Sequence, residues 1–357
     1  MTVRLPVRQA ILERRTYEAP AEGRAGKVRL DFNENTSGCS PAALRALAKM
    51  SRKQIAMYPE YERSTARLAG YFGVQSQELL LANGGDDALR VFFDTFVEPS
   101  SSILICEPTF PMYRYYGEIA GARIATLRYG SEMEFPIAAL FSALKKRPAV
   151  LFIANPNNPT GTLVEPVTIE KILRTATNTA VVIDEAYAEF SRATMVRFIN
   201  EYKNLFIVRT FSKAAGLAAL RLGAVIACAE SLSYLRRAMP PFPVNLAALV
   251  AAEAAVREPT AIRRYVRETC RTRAWFAQEL RALGIRTFPS AGNFLLANLG
   301  PQGPRLFQRL ASEGILLRER SKELGPGFVR ISIGTVPEMK LLLKKVKRFN
   351  FSADRRR

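Results

Sequence analysis

The sequence predicts an α/β fold: a large domain with a mostly parallel sheet covered by helices, joined to a smaller α/β domain. Three observations carry that expectation. Short runs of continuous apolar residues recur along the chain, each ending in a polar or glycine-rich cluster, as strands buried on both faces require. Helical periodicity fills many of the gaps. At 357 residues and 48% hydrophobic content, the chain has the length for two domains and the apolar mass for a sizeable core.

The elements follow in order. LLLA runs into NGGDD, SILIC into EPTFPMY, AVLFIA into NPNNPTG, AVVI into DEAY, and LFIV into RTFSK; each is expected to be a strand whose carboxyl end opens into a polar loop. Residues 86–97 bring Leu89, Phe92, Phe93 and Phe96 to one side, so a helix is expected to lie on the sheet there. The prolines of AMPPFPV interrupt the pattern after Arg237, and residues 246–283 read as long helical segments. GNFLLAN, GILLRER and FVRISIG read as short strands of the smaller unit, closed by an amphipathic helix over 336–349. The expected division is an arm at 1–35 that joins the small domain, a large domain at 36–245 and a small domain at 246–357. The last handful of residues is the only disorder candidate.

Composition excludes several functions. The chain has no histidine, so Ser-His-Asp, Cys-His and HExxH chemistries are absent. Its four cysteines lie tens of residues apart, without the pairing of a zinc site or a disulfide framework; free thiols and no metal are expected. Apolar runs reach only about seven residues, far short of the roughly 18 that span a bilayer, and the N-terminus lacks a secretory apolar region. A cytoplasmic protein away from membranes is expected. The net charge of +20 raises the possibility of a basic nucleic-acid-binding regulator. That charge is spread along the chain, clustered only at 344–348 and 355–357, and no recognition motif accompanies it; a generally basic proteome or a role for small anionic substrates is the reading preferred.

Four clusters carry chemistry. Asp184 ends a β-branched run, where an ionised carboxylate needs a cation, an N-cap or a salt bridge to offset its burial. The turn Asn83-Gly84-Gly85-Asp86 opens a helix; its free N–H groups suit a phosphate, and the turn serves equally as a plain N-cap. ANPNNPTG at 154–161 restricts its backbone with two prolines and so fixes the Asn157 and Asn158 side chains. Lys213, in RTFSKAAGLAALRLG, follows an apolar strand and precedes Ala, Gly and Leu, a setting unlike that of a solvated surface lysine.

NPNNPTG, DEAY at 184–187, FSKAAGLAALRLG ending past Arg221 and FVRISIG around Arg330, in that order, resemble the fold-type-I pyridoxal-phosphate aminotransferases. The chain is most similar there to the histidinol-phosphate aminotransferase family, from NEN at 33–35 through YPEYE, NGGDDA and PTFPMYR to the C-terminal strand. The resemblance implies that Lys213 bonds the cofactor aldehyde as an aldimine and then moves the substrate proton. Both jobs need a neutral amine, which apolar surroundings favour. It implies that Asp184 pairs with the pyridinium nitrogen and that Asn158 and Tyr187 bond the ring hydroxyl. Phe110 lies on the ring where the family usually has tyrosine. For the phosphate it implies the N–H groups of Gly85 and Asp86, the Ser212 hydroxyl, Arg221, and Tyr58 from a second subunit; a homodimer follows. Arg330, helped by Arg318, is implied to receive the carboxylate or phosphate of the substrates, with Asn33 in the substrate-facing N-terminal segment. The implied reaction is amino transfer between histidinol phosphate and 2-oxoglutarate, in histidine biosynthesis. The alternatives are a threonine-phosphate decarboxylase or another amino-acid aminotransferase of the same fold.

Overall fold

The computed structural model describes residues 5–12, 14 and 22–349; the tail expected to be disordered lies outside the described residues. Strand β1 (Val28–Leu30) belongs to the smaller of two sheets. The larger sheet contains β2 (Leu79–Ala82), β3 (Ser102–Glu107), β4 (Arg123–Arg128), β5 (Val150–Ala154), β6 (Ala180–Asp184), β7 (Leu205–Thr210) and β8 (Gly223–Ile226). Their spatial order is β2-β8-β7-β6-β5-β3-β4. Neighbours pair in parallel from β4 through β7, and β8 alone runs against both of its neighbours. The five expected strands are all present, within the mostly parallel sheet the apolar runs predicted.

Burial on both faces follows from strand alternation. On β6, Val181 and Ile183 enter one core with Leu151, Ile153, Leu205 and Ile207, whereas Val182 enters the opposite core with Phe92, Phe152 and Phe206. The same alternation sends Asp184 to the side of Val182 and Glu185 to the other. The helix Gly84–Phe96 buries Leu89, Phe92 and Phe93 against that second core, with Phe96 packed beside them. Its expected start at 86 is two residues late, because Gly84 and Gly85 already have helical bonding.

The smaller sheet has the order β1-β11-β12-β10-β9, with β9 (Arg286–Thr287), β10 (Phe294–Asn298), β11 (Ile315–Glu319) and β12 (Phe328–Ser332). Strand β1 pairs in parallel with β11, so residues 28–30 and the last third of the chain share one sheet, whereas Arg8 and Arg14 bond the Ile119 and Tyr115 carbonyls of the helix Met112–Ala120. Helices Thr260–Ala282 and Val336–Lys347 cover it. The long segment after 246 is two helices, Leu246–Arg257 and Thr260–Ala282, parted at Pro259, which cannot continue the first. The C-terminal helix starts on a capping box between Thr335 and Glu338, which satisfies first-turn donors reciprocally. Among the described residues, no helix is long and apolar enough to cross a membrane. All four cysteines are free thiols.

Candidate active site

The carboxyl ends of β5, β6 and β7 open into a cavity of about 320 Å³, at the edge of a parallel sheet where ligands characteristically bind. Lys213 leaves the turn after β7 and reaches this cavity. Its Nζ donates a 2.9 Å hydrogen bond to the Phe32 carbonyl, a neutral acceptor from the N-terminal segment. Burial first, and the Arg330 guanidinium second, bring its pKa from 10.5 to about 8. Desolvation penalises the ammonium and so favours the free amine.

Asp184 ends β6 on the cavity wall. The Tyr113 hydroxyl donates to its Oδ2 at 2.7 Å and the Ala186 N–H to its Oδ1 at 3.0 Å. Burial pushes the carboxyl pKa up, and these two donors oppose the rise. Tyr113 is fully buried and stacked on Phe152, ring centroids 5.0 Å apart, so its hydroxyl is aimed by packing. Next along the chain, Glu185 faces away. It accepts from the Met195 N–H, the Thr194 hydroxyl and Arg209, which anchors the strand end from behind.

One set of anion donors gathers where β2 meets its helix. The first-turn N–H groups of Gly85 and Asp86 have no upstream carbonyl in the helix to bond. Arg221 donates to the Asp86 carboxylate at 2.9 Å and to the Ser212 hydroxyl at 3.5 Å. Two glycines keep this corner open. Gly84 has φ +85°, and a Cβ there would lie 2.5 Å from Arg221 Nη2; a Cβ on Gly223 would lie 2.4 Å from the Gly84 carbonyl carbon. With a carboxylate for a ring nitrogen, an amine for an aldehyde and this corner for a phosphate, the donor set fits pyridoxal phosphate.

A second set comes from the smaller sheet. Arg318 and Arg330 face each other in register across β11 and β12, and both line the cavity with Arg320. Arg330 donates to Asn158 Oδ1 at 2.6 Å and to the Asp31 carbonyl. Its Nε is buried without a hydrogen-bond partner, an orphaned donor that awaits an acceptor.

Of the thirteen residues to which the resemblance assigns a role, eleven line this one cavity: Lys213, Asp184, Asn158, Tyr187, Phe110, Gly85, Asp86, Ser212, Arg221, Arg318 and Arg330. Two do not. Tyr58 is 78% exposed and stacks on Phe242 at 4.3 Å, out on the surface. Asn33, expected to face the substrate, is instead fully buried. Its amide donates to the Tyr187 hydroxyl at 2.9 Å, and its left-handed backbone, φ +55°, turns its neighbours Phe32 and Glu34 to the cavity. Sequence reasoning missed Tyr113, Arg320 and the Phe32 carbonyl. Arg320 had a usable signal: in RER it stands two residues from Arg318, hence on the same strand face.

Comparison with known proteins agrees with this geometry. Residues 25–346 match the family described as aminotransferase class I and II. A histidinol-phosphate aminotransferase of Geobacillus sp. (strain WCH70) is 35% identical over 315 residues, covering 86% of each chain. One from Dehalococcoides mccartyi (strain CBDB1) is 34% identical over 325 residues, 89% of this chain and 88% of that one. The crystal structure of histidinol-phosphate aminotransferase from Sinorhizobium meliloti in complex with pyridoxal-5'-phosphate shares the fold, with a TM-score of 0.86 and 22% identity over 96% of this chain and 97% of that chain. An amine with a lowered pKa and a buried carboxylate in one cavity suit amino transfer on that cofactor, and with these matches the chain belongs to the pyridoxal-phosphate-dependent class I and II aminotransferases, in the histidinol-phosphate aminotransferase family.

Proposed function

We propose that the protein transfers an amino group from histidinol phosphate to 2-oxoglutarate, giving imidazole acetol phosphate and glutamate, a step of histidine synthesis. The observation that carries this reading is one cavity that joins the Lys213 amine to two sets of anion donors, one for a cofactor phosphate and one for the anionic end of each substrate.

Pyridoxal phosphate, when bound, supplies the carbonyl for amine exchange and the electron sink for the substrate Cα. Lys213 acts as the base: with a pKa of about 8, its Nζ can take and return the Cα proton near neutral pH. Asp184, whose carboxylate form the Tyr113 hydroxyl and the Ala186 N–H favour against its burial, would hold the proton on the ring nitrogen. Asn158 and Tyr187 meet the ring hydroxyl, Tyr187 being oriented by Asn33, while Phe110 covers a ring face without a hydroxyl of its own. Gly85, Asp86, Ser212 and Arg221 take the phosphate, joined by Tyr58 of the partner subunit in a homodimer. Arg330 and Arg318 receive the substrate carboxylate or phosphate. The same reading divides the chain into an arm at 1–35, a large domain at 36–245 and a small domain at 246–357, supported by the pairing of β1 with β11. It assigns the enzyme to the cytoplasm, where its four free thiols stay reduced.

The test is product analysis with histidinol phosphate and 2-oxoglutarate. Stoichiometric glutamate is expected from the wild type and none from Lys213→Ala, and borohydride should fix cofactor to the former alone. Carbon dioxide without glutamate would replace transamination by decarboxylation. Cofactor fixed to Lys213→Ala would remove that residue from its role.

A further inference from the structure

We infer that Arg320 is a third residue of the substrate's anion site and sets its preference for a phosphate dianion over a carboxylate. This rests on the reading that Arg318 and Arg330 receive the anionic end of the substrate.

The backbone supplies the first argument. Arg318 pairs with Arg330, and Glu319 with Val329, across β11 and β12; the Arg320 N–H then continues the ladder to the Phe328 carbonyl at 2.9 Å. Residues two apart along a strand share a face, and directly opposed residues share it too. Arg318, Arg320 and Arg330 therefore project to one side, and all three line the cavity. Arg320 and Arg330 are each only 6% exposed, so their charges are poorly screened by water.

Charge balance supplies the second. Among the described residues, neither Arg318 nor Arg330 has a carboxylate within 4.0 Å, whereas Arg320 pairs with Glu323, whose side chain is 40% exposed. Glu34, a carboxylate on the same cavity wall, is held by Arg24 and Arg29, so among the described residues Arg318 and Arg330 have no ion pair of their own. Burial first, with Arg320 and Arg318 adding to it against the opposing pull of Tyr187 and Asp31, brings the Arg330 pKa down to about 10, as expected where desolvation and neighbouring cations disfavour the charged form. A carboxylate offers two oxygens, which a single guanidinium fork can fill. A phosphate monoester offers three terminal oxygens and, above its second pKa of about 6, close to two charges. The buried Nε of Arg330 and the extra fork of Arg320 match the larger, more highly charged group. Glutamate's two carboxylates lie at opposite ends of the molecule, so one of them enters this cluster, and one carboxylate does not require a third arginine.

The experiment measures competitive inhibition of the glutamate half-reaction of the holoenzyme by methyl phosphate and by acetate. In Arg320→Gln, methyl phosphate should weaken about tenfold more than acetate does. Arg320→Lys should fall between the two, since it keeps the charge but loses the fork. Glu323→Gln, which lifts a like charge near the anion, should strengthen methyl phosphate, and this variant decides the matter if Arg320→Gln does not fold. In the wild type, the advantage of phosphate over acetate should shrink as pH falls through about 6, and that dependence should flatten in Arg320→Gln. Equal losses for both anions, or Glu323→Gln without effect on methyl phosphate, would overturn the inference. These ratios do not require turnover of histidinol phosphate, so its failure as a substrate would sink the proposed reaction and leave this result standing.

Discussion

At the scale of single residues, the site works by withholding partners from one group and supplying them to another. Among the described residues, Lys213 has one hydrogen bond, to the Phe32 carbonyl at 2.9 Å, and its pKa falls from 10.5 to about 8; Asp184 receives two donors at its buried oxygens. Because the folded, cofactor-free protein disfavours the Lys213 ammonium, the unfolded chain binds more protons than the native one between the two pKa values. Stability then rises with pH across that window. Relative to Lys213→Met, the cofactor-free wild type should therefore carry a penalty that is full below about pH 8, on the order of 3 kcal/mol, and fades as pH climbs towards about 10.5. Urea midpoints of both proteins over that range measure it, and a constant gap would mean that Lys213 is not desolvated. The lysine's setting was legible because its neighbours in sequence, Ala214, Ala215 and Leu217, are buried in the large apolar core, which fixes the turn that carries it. Tyr113 was not: its partner lies 71 residues away, and an aromatic residue in an amphipathic helix reads as core whether or not its hydroxyl has a task.

At the scale of elements, the cofactor corner depends on how closely β8 approaches the helix that follows β2. The reversed strand β8 begins at Gly223, hydrogen-bonded beside both β2 and β7, and its α-carbon faces the Gly84 backbone. A methyl group at 223 would lie 2.4 Å from Gly84 C and 2.6 Å from Gly85 N, backbone atoms that cannot swing aside. Gly223→Ala should thus cost about 1–3 kcal/mol through overpacking and weaken cofactor retention by displacing the Gly85 N–H. Thermal melts with and without cofactor would record both losses, and a variant as stable as the wild type that holds its cofactor equally well would show that the two segments have room to part. The strands buried on both faces were readable as apolar runs. The edge strand β4, RIATLR, is exposed at Arg123, Ala125 and Arg128 and fully buried nowhere, and it carries no such run, while β1 is only three residues long. Strand β8 lay within an apolar stretch, but its reversal is set by pairing with two distant strands, which composition does not encode.

At the scale of the whole molecule, the remaining question is what covers the surface around Tyr58. Ile55, Met57, Tyr58 and Phe242 are 68%, 59%, 78% and 50% exposed, and Tyr58 and Phe242 stack on each other. Apolar side chains gathered like this on a chain of net charge +20 mark a contact surface, because dispersed like charge keeps the remainder of the molecule apart from its copies. In a two-fold dimer the same patch serves both subunits, and Tyr58, absent from the cavity wall of its own chain, is free to complete the cavity of the other. The arrangement predicts complementation. Tyr58→Ala should lose cofactor affinity and Lys213→Ala should be inactive, yet each mixed dimer of the two would contain one site with its own Lys213 and a Tyr58 supplied by the Lys213→Ala chain. Unfolding and refolding equal amounts together should restore about one site in four, read as tight-binding cofactor and as glutamate formed. If Tyr58 served its own chain, that site would lack the tyrosine and the mixture would gain nothing. Sedimentation gives an independent check, since a wild type that remains monomeric at micromolar concentration would leave Tyr58 without a cavity to enter.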